Sequence, residues 1–138
     1  MNVPTCFVDT NVLVRYLTAD DAQKAKAVEQ LLVQARDGEV SLITSDIVIA
    51  ELVWVLSSFY KLEKTFIAEL LRAILNTEGF KVDNSDVIEV SLDIYETESI
   101  DFIDAYIIGY MRLKGLDTLY SYDKKHLSKF GGIKRIEP

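Results

Sequence analysis

The stretch TCFVDTNVLVRYL, residues 5–17, joins a short apolar run to a helical pattern through a single acid. Asp9 is the only charged residue among the first fourteen. The run TCFV predicts a buried strand, because a continuous apolar segment has no polar face to present to water. A helix should begin near Thr10 or Asn11, both of which are acceptable caps. The single carboxylate therefore lies where a strand gives way to a helix.

Strands and helices alternate along the rest of the chain. Further strands are predicted at EVSLIT (39–44), FKV (80–82), LDTLYSY (116–122) and IKRIEP (133–138). Helices are predicted over residues 20–38, 46–60, 64–79, 85–98 and 100–115, with a short helical piece at 123–130. This alternation is typical of an α/β fold with a parallel sheet and helices on both faces. Ligands of such sheets bind beyond the carboxyl ends of the strands, so we expect Asp9 and Asp123 on one rim.

Size and composition predict one domain over residues 1–138, large enough to bury a core without disulfides. Cys6 lies in an apolar run and is expected in the core. The helix at 46–60 is apolar on nearly every side and is expected to be covered on most of its surface. With no apolar run of about 18 residues and no secretory signal, the protein is predicted to be cytoplasmic, with no membrane partner.

The net charge of −7, from 22 acids and 15 bases, argues against a general binder of phosphate backbones. The charge is unevenly spread, however. Residues 112–135 contain seven lysines and arginines against two aspartates. That segment could present a local basic surface, although a solvated face is the commoner explanation of such a run.

Two more apolar segments each carry one acid, Glu51 within residues 47–56 and Asp104 within 102–111. Burying an ionised carboxylate costs several kcal/mol unless it is paired, and neither acid has a base within a helical turn. Neutralisation through a shared cation is the economical explanation, and oxygen ligands favour Mg²⁺ or Mn²⁺. Three alternatives stay open. Asp9 could be only a helix N-cap, Glu51 could pair with a distant lysine, and Asp101 with Asp104 could form an analogue of a capping box.

These acids and their surroundings resemble the PIN domain family, and more narrowly the VapC-type toxin ribonucleases of toxin–antitoxin pairs. Four motifs in order carry the resemblance over nearly the whole chain: FVDTNVLVRYL, IVIAELVWVL, IDFIDAYIIGYMRLKG and LYSYDKKHLSKFGGIKRI. The usual TFD of the last motif is SYD here, and Tyr106 and Gly109 stand where small aliphatic residues are common. None of these departures removes an acid.

The resemblance implies a PIN-like α/β/α sandwich with a central, mainly parallel sheet and a Mg²⁺- or Mn²⁺-dependent endoribonuclease. By position, the catalytic and metal-binding acids are Asp9, Glu51, Asp104 and Asp123. Asn11, Ser121 and Asp101 are the supporting residues, and Asp101 either helps to hold the metal or only caps a helix.

The same resemblance implies an RNA substrate, a cognate antitoxin and a homodimer. Arg15, Lys124 and Lys125 are the basic residues that could grip phosphates near the acids. Two other functions stay open. A housekeeping RNA-processing nuclease would share the fold, and a catalytically inactive protein-binding module would keep the fold without the activity.

Overall fold

The computed structural model describes residues 2–124 and 130–138, and over these residues strands and helices alternate as predicted. The strands are β1 (Thr5–Phe7), β2 (Ser41–Thr44), β3 (Phe80–Val82), β4 (Thr118–Tyr120) and β5 (Lys134–Ile136). The helices are α1 (Thr10–Thr18), α2 (Ala22–Arg36), α3 (Asp46–Ser58), α4 (Lys64–Leu75), α5 (Ser85–Thr97) and α6 (Phe102–Lys114). Most of the helical piece predicted at 123–130 lies outside the described residues. In the described part of the chain, no helix is long and apolar enough to cross a bilayer.

The chain divides into two compact units, Met1–Ser85 and Asp86–Pro138. In the first unit, β1, β2 and β3 form a sheet in that order, and both strand pairs are parallel. In the second unit β4 pairs with β5, also in parallel. The prediction of parallel strands is therefore confirmed, and in the first unit helices connect the strands.

The core of the first unit is built from the inner faces of its helices and from β2. α1 packs against α2 and α3, and α3 packs against α4. The most deeply buried side chains are aliphatic: Leu13, Leu42, Ile49, Leu52, Leu56, Ile67, Leu71 and Ile74. Their spacing of three and four residues along α3 and α4 is that of a helix face turned inward.

Two predictions about burial are wrong. Thr5, Cys6 and Phe7 are all exposed, and burial begins only at Val8. The strand β1 is the first strand of the sheet of its unit. On α3, Ile47 and Trp54 are 77% and 66% exposed, so one face of this apolar helix is exposed to solvent.

In the second unit, α5 and α6 approach closely at Gly109. A Cβ atom at this position would lie 2.7 Å from Ser91 Oγ and 3.2 Å from the Ser91 backbone nitrogen. Gly109 and Ser91 are both buried. A glycine here is therefore a packing requirement that fixes the distance between the two helices.

Candidate active site

The carboxyl ends of β1 and β2 are tied together immediately before Asp9. The Val8 N–H donates to the Ile43 carbonyl at 2.9 Å. The hydroxyl of Thr44 donates to the Val8 carbonyl at 2.8 Å, and Thr44 is fully buried. Because both polar groups of Val8 are bound, the backbone that presents Asp9 is held in place by the sheet.

Asp9 is the N-cap of α1. Its Oδ1 accepts a hydrogen bond from the Thr10 N–H at 2.7 Å, and the helix begins at Thr10. The sequence predicts the cap one or two residues later, at Thr10 or Asn11. Asp9 is a cap, as one alternative expected, and its role as a metal ligand stays a prediction. Capping occupies only Oδ1; Oδ2 makes no hydrogen bond to the described residues. The carboxylate can therefore cap the helix and still offer an oxygen to a ligand.

Glu51 is exposed on α3, whose N-cap is Ser45, with Ser45 Oγ accepting from the Val48 N–H at 3.5 Å. Within residues 2–124 and 130–138, Glu51 has no hydrogen bond or ion pair. The alternative of a partner lysine thus finds no support among these residues. Glu51 presents a carboxylate whose oxygens are available.

Asp9 and Glu51 line the same pocket, which has a volume of about 300 Å³. The described residues around it are Asp9, Thr10, Asn11, Val14, Arg15, Glu51, Val55, Phe59 and Tyr60. Asn11, the predicted support of Asp9, is therefore beside it at the pocket. The structure brings together the first two predicted acids, which are 42 residues apart in the chain (51 − 9).

Thr10, which the sequence suggested only as a helix cap, adds a polar atom to this pocket. Thr10 is 5% exposed, and its Oγ1 is buried without a hydrogen-bond partner in the described structure. Buried hydroxyl groups usually have a hydrogen-bond partner, so this oxygen is an acceptor and donor that a water molecule or an ion could satisfy. The only sequence signal was its position directly after Asp9.

The third predicted acid, Asp104, lies in the first turn of α6 in the second unit. Asp101 is the N-cap of this helix, and its Oδ1 accepts from the Asp104 N–H at 2.9 Å. This contact is the first half of a capping box, as the cap alternative for Asp101 expected. Asp101 thereby fixes the backbone of Asp104.

The fourth predicted acid, Asp123, follows β4 by three residues. Its N–H donates to Ser121 Oγ at 3.0 Å, so Ser121 contacts the backbone of Asp123. Arg135 of β5 donates from Nη1 to the Ser121 carbonyl at 2.6 Å and also contacts Glu137. The turn that presents Asp123 is therefore anchored to the neighbouring strand.

Of the predicted basic residues, Arg15 lines the pocket, and its Nη1 lies 3.1 Å from both carboxylate oxygens of Asp20. The pKa of Arg15 is raised above its ordinary value, first by this hydrogen bond and then by the charge of Asp20. The hydroxyl of Tyr60 also donates to Asp20, at 2.6 Å. Lys124 Nζ lies 3.8 Å from Glu137 Oε1, and Lys125 is outside the described residues.

Asp20, Phe59 and Tyr60 were missed by the sequence reasoning. Asp20 and Tyr60 are separated by 40 residues, and no local pattern reports a contact at that separation. The adjacent aromatics at the end of the apolar helix were a weak signal, since such residues usually belong to the core.

The donor set of the first unit suits a hard divalent cation, because the available groups are carboxylate and hydroxyl oxygens. In neither unit do the described residues contain a group of three or more Asp, Glu, His or Cys side chains that could hold a metal ion. Two acids and a partnerless hydroxyl fit part of such a site. The complete set of four acids stays a prediction.

The comparisons with known proteins bear on the whole arrangement. The PIN domain family model matches residues 6–132. A VapC ribonuclease of Aquifex aeolicus (strain VF5) is 28% identical over 131 residues, which cover 95% of each chain. The fold expected from the resemblance is thereby confirmed, and the chain belongs to the PIN domain family.

Proposed function

We propose that this PIN domain is a Mg²⁺- or Mn²⁺-dependent endoribonuclease and the toxin of a type II toxin–antitoxin pair. The observation that carries the proposal is the pocket shared by Asp9 and Glu51, two acids without a basic partner among the described residues, beside the partnerless hydroxyl of Thr10. Family membership and the similarity to a VapC ribonuclease indicate the reaction and the substrate.

In this proposal, the residues that hold the metal, directly or through water, are Asp9, Glu51, Asp104 and Asp123. A divalent ion held by these residues would supply an activated water molecule and would neutralise charge that develops on the phosphate. Asp9 is oriented for this role by its capping bond, and Asp104 by the cap at Asp101. Water attacks phosphorus and the ribose 3′ oxygen leaves, so the products carry a 5′-phosphate and a 3′-hydroxyl.

Cleavage of labelled RNA by the purified full-length chain tests the activity. We expect cleavage with Mg²⁺ or Mn²⁺, loss of cleavage with EDTA, and loss in Asp9→Asn and Glu51→Gln. Mn²⁺ binding followed by electron paramagnetic resonance should weaken in both variants. Glu69→Gln, an exposed acid on α4, serves as the matched control and should behave like the wild type. Cleavage that survives both chelation and Asp9→Asn would overturn the proposed mechanism.

Toxicity is tested separately from cleavage. Overproduction of the chain should arrest growth, Asp9→Asn should relieve the arrest, and the product of a short reading frame directly upstream should do the same as an antitoxin. A nuclease that cleaves RNA but leaves growth unaffected would indicate a housekeeping RNA-processing enzyme. The proposed homodimer is tested by sedimentation of the purified chain.

A further inference from the structure

The pocket of Asp9 and Glu51 is also lined by an aromatic ring and a cation that metal binding does not require. Phe59 is 74% exposed, although it lies directly after the apolar helix α3. The side chain of Arg15 is 38% exposed. A single exposed apolar side chain is ordinary on a protein surface. The position of this one beside two acids and an arginine calls for an explanation.

Phe59 is held in place from two sides. Its N–H donates to the Val55 carbonyl at 3.0 Å, which completes the last turn of α3. Its ring meets the ring of Tyr60 edge to face, with centroids 5.0 Å apart and planes at 72°. Edge-to-face pairs are favoured by the aromatic quadrupole. The contact favours one orientation of the Phe59 ring against Tyr60.

Tyr60 also fixes the cation of the same pocket. Its hydroxyl binds Asp20 Oδ2 at 2.6 Å, and Asp20 binds Nη1 of Arg15 with both oxygens. The Tyr60 hydrogen bond is the first cause that holds the pKa of Asp20 below its ordinary value. Nε and Nη2 of Arg15 make no hydrogen bond to any described residue. These donors remain available to a ligand.

A fixed aromatic face beside a fixed guanidinium matches the two parts of one nucleotide. Bases stack on aromatic side chains, and arginine pairs with phosphate oxygens through its planar donors. A base can reach such a ring only when it is unpaired, as in a loop or a single strand. The acids cannot serve this purpose, since they repel phosphate.

We propose that Phe59 and Arg15 form a nucleotide subsite next to the metal pocket, where an unpaired RNA base stacks on Phe59 and its phosphate binds Arg15. This proposal rests on the proposed function and adds where and how the RNA strand is held. Asp20 and Tyr60 are positioning residues for this subsite. The cleaved bond therefore lies in a single-stranded region, beside the stacked base.

The stacking part is tested by the affinity for a fluorescently labelled, unstructured RNA of about twelve nucleotides, measured with full-length protein carrying Asp9→Asn to prevent cleavage. We expect Phe59→Ala and Phe59→Leu to weaken binding roughly tenfold, and Phe59→Trp to retain it. Trp54→Ala is the matched control, because Trp54 is an exposed aromatic on α3 that is not among the described residues lining the pocket. Circular dichroism verifies that each variant is folded.

Abasic RNA identifies the partner of the ring. Abasic residues are introduced into the RNA one at a time. An abasic residue at one position should lower the affinity of the protein that retains Phe59. Phe59→Ala should then cause no further loss of affinity for that RNA. A penalty that persists at every position, or an unchanged affinity of Phe59→Leu, overturns the stacking proposal.

The phosphate part is tested by the salt dependence of binding. Arg15→Ala should reduce the slope of log affinity against log salt concentration by about one, the signature of one lost phosphate contact. Arg36→Ala is the matched control, since Arg36 also pairs with a neighbouring aspartate at 3.1 Å on an exposed surface. An unchanged slope for Arg15→Ala overturns the assignment of Arg15.

The subsite and the proposed function can fail independently. If the wild type cleaves RNA with metal and Phe59→Ala has the same kcat and KM, the subsite is wrong and the nuclease proposal stands. If the wild type cleaves no RNA but binds it through Phe59, the subsite stands and the nuclease proposal is wrong. A wild type that neither binds nor cleaves RNA overturns both.

Discussion

The hydroxyl of Thr44 donates a hydrogen bond of 2.8 Å to the carbonyl of Val8, and the two residues are 0% and 4% exposed. Thr44 is the last residue of β2, and Val8 directly precedes Asp9. The side chain of the last residue of β2 thus binds the backbone that follows β1. This contact lies at the carboxyl ends of the two strands, next to Asp9.

Thr44→Val should lower the free energy of unfolding by about 1–3 kcal/mol, because the shape is retained while a buried carbonyl loses its donor. Urea denaturation measures the change. Thr97→Val is the control, since the Thr97 hydroxyl makes a similar hydrogen bond to the Asp93 carbonyl at 2.9 Å in an exposed position. This substitution should change the free energy of unfolding by no more than about 0.5 kcal/mol. Equal stability of Thr44→Val and the wild type would show that the contact does not anchor this edge.

The fold was predictable because each element has a local signal. The apolar run before Asp9, the caps at Asp21 and Ser45, and the glycine after α6 each use local chemistry that the structure retains. Exposure was less predictable. The runs of β1 and α3 show which residues are apolar but not which face a neighbour covers. The strand was therefore expected to be buried and the helix to be covered on most of its surface, whereas Phe7 and Trp54 are exposed.

The candidate site was predictable in the acids that interrupt apolar segments and in their close neighbours, and not in the residues that meet them only in the fold. A carboxylate in an apolar segment stands out in a sequence, which is how Asp9 and Glu51 were found. Tyr60 does not stand out, because its partner Asp20 is 40 residues away and an aromatic residue at a helix end usually belongs to a core. The hydroxyl of Thr10 could not be found from sequence, since its lack of a partner is a property of the fold.

Asp101→Ala should destabilise the protein by about 1 kcal/mol, because α6 loses its N-cap, whereas Asp101→Asn should keep the stability. If Asp101 is only a cap, Asp101→Asn also keeps RNA cleavage. Thermal unfolding and a cleavage assay on the same two variants separate these roles. Intact stability with lost cleavage in Asp101→Asn would make Asp101 a ligand instead.

Gly109→Val should lower the free energy of unfolding by about 1–3 kcal/mol through overpacking against Ser91. Leu113→Val is the matched control, because it places the same residue at a 45% exposed position of the same helix. Unfolding by urea compares the two. If Gly109→Val proved as stable as Leu113→Val, the close approach of α5 and α6 would not be a requirement of the fold.

Tyr60→Phe should raise the pKa of Asp20 toward its ordinary value of 3.8, because the hydroxyl is the first cause of the lowered pKa in the folded protein. A lowered folded pKa stabilises the protein above the unfolded value, and this stabilisation is lost as the pH falls through the folded pKa. The variant should therefore lose less stability than the wild type on acidification below 3.8. Carbon-detected NMR titration of the Asp20 carboxyl measures the shift directly. Tyr16→Phe, at the position next to Arg15, is the control and should leave the pKa of Asp20 unchanged. If the pKa of Asp20 did not change in Tyr60→Phe, Tyr60 would not help to hold Arg15.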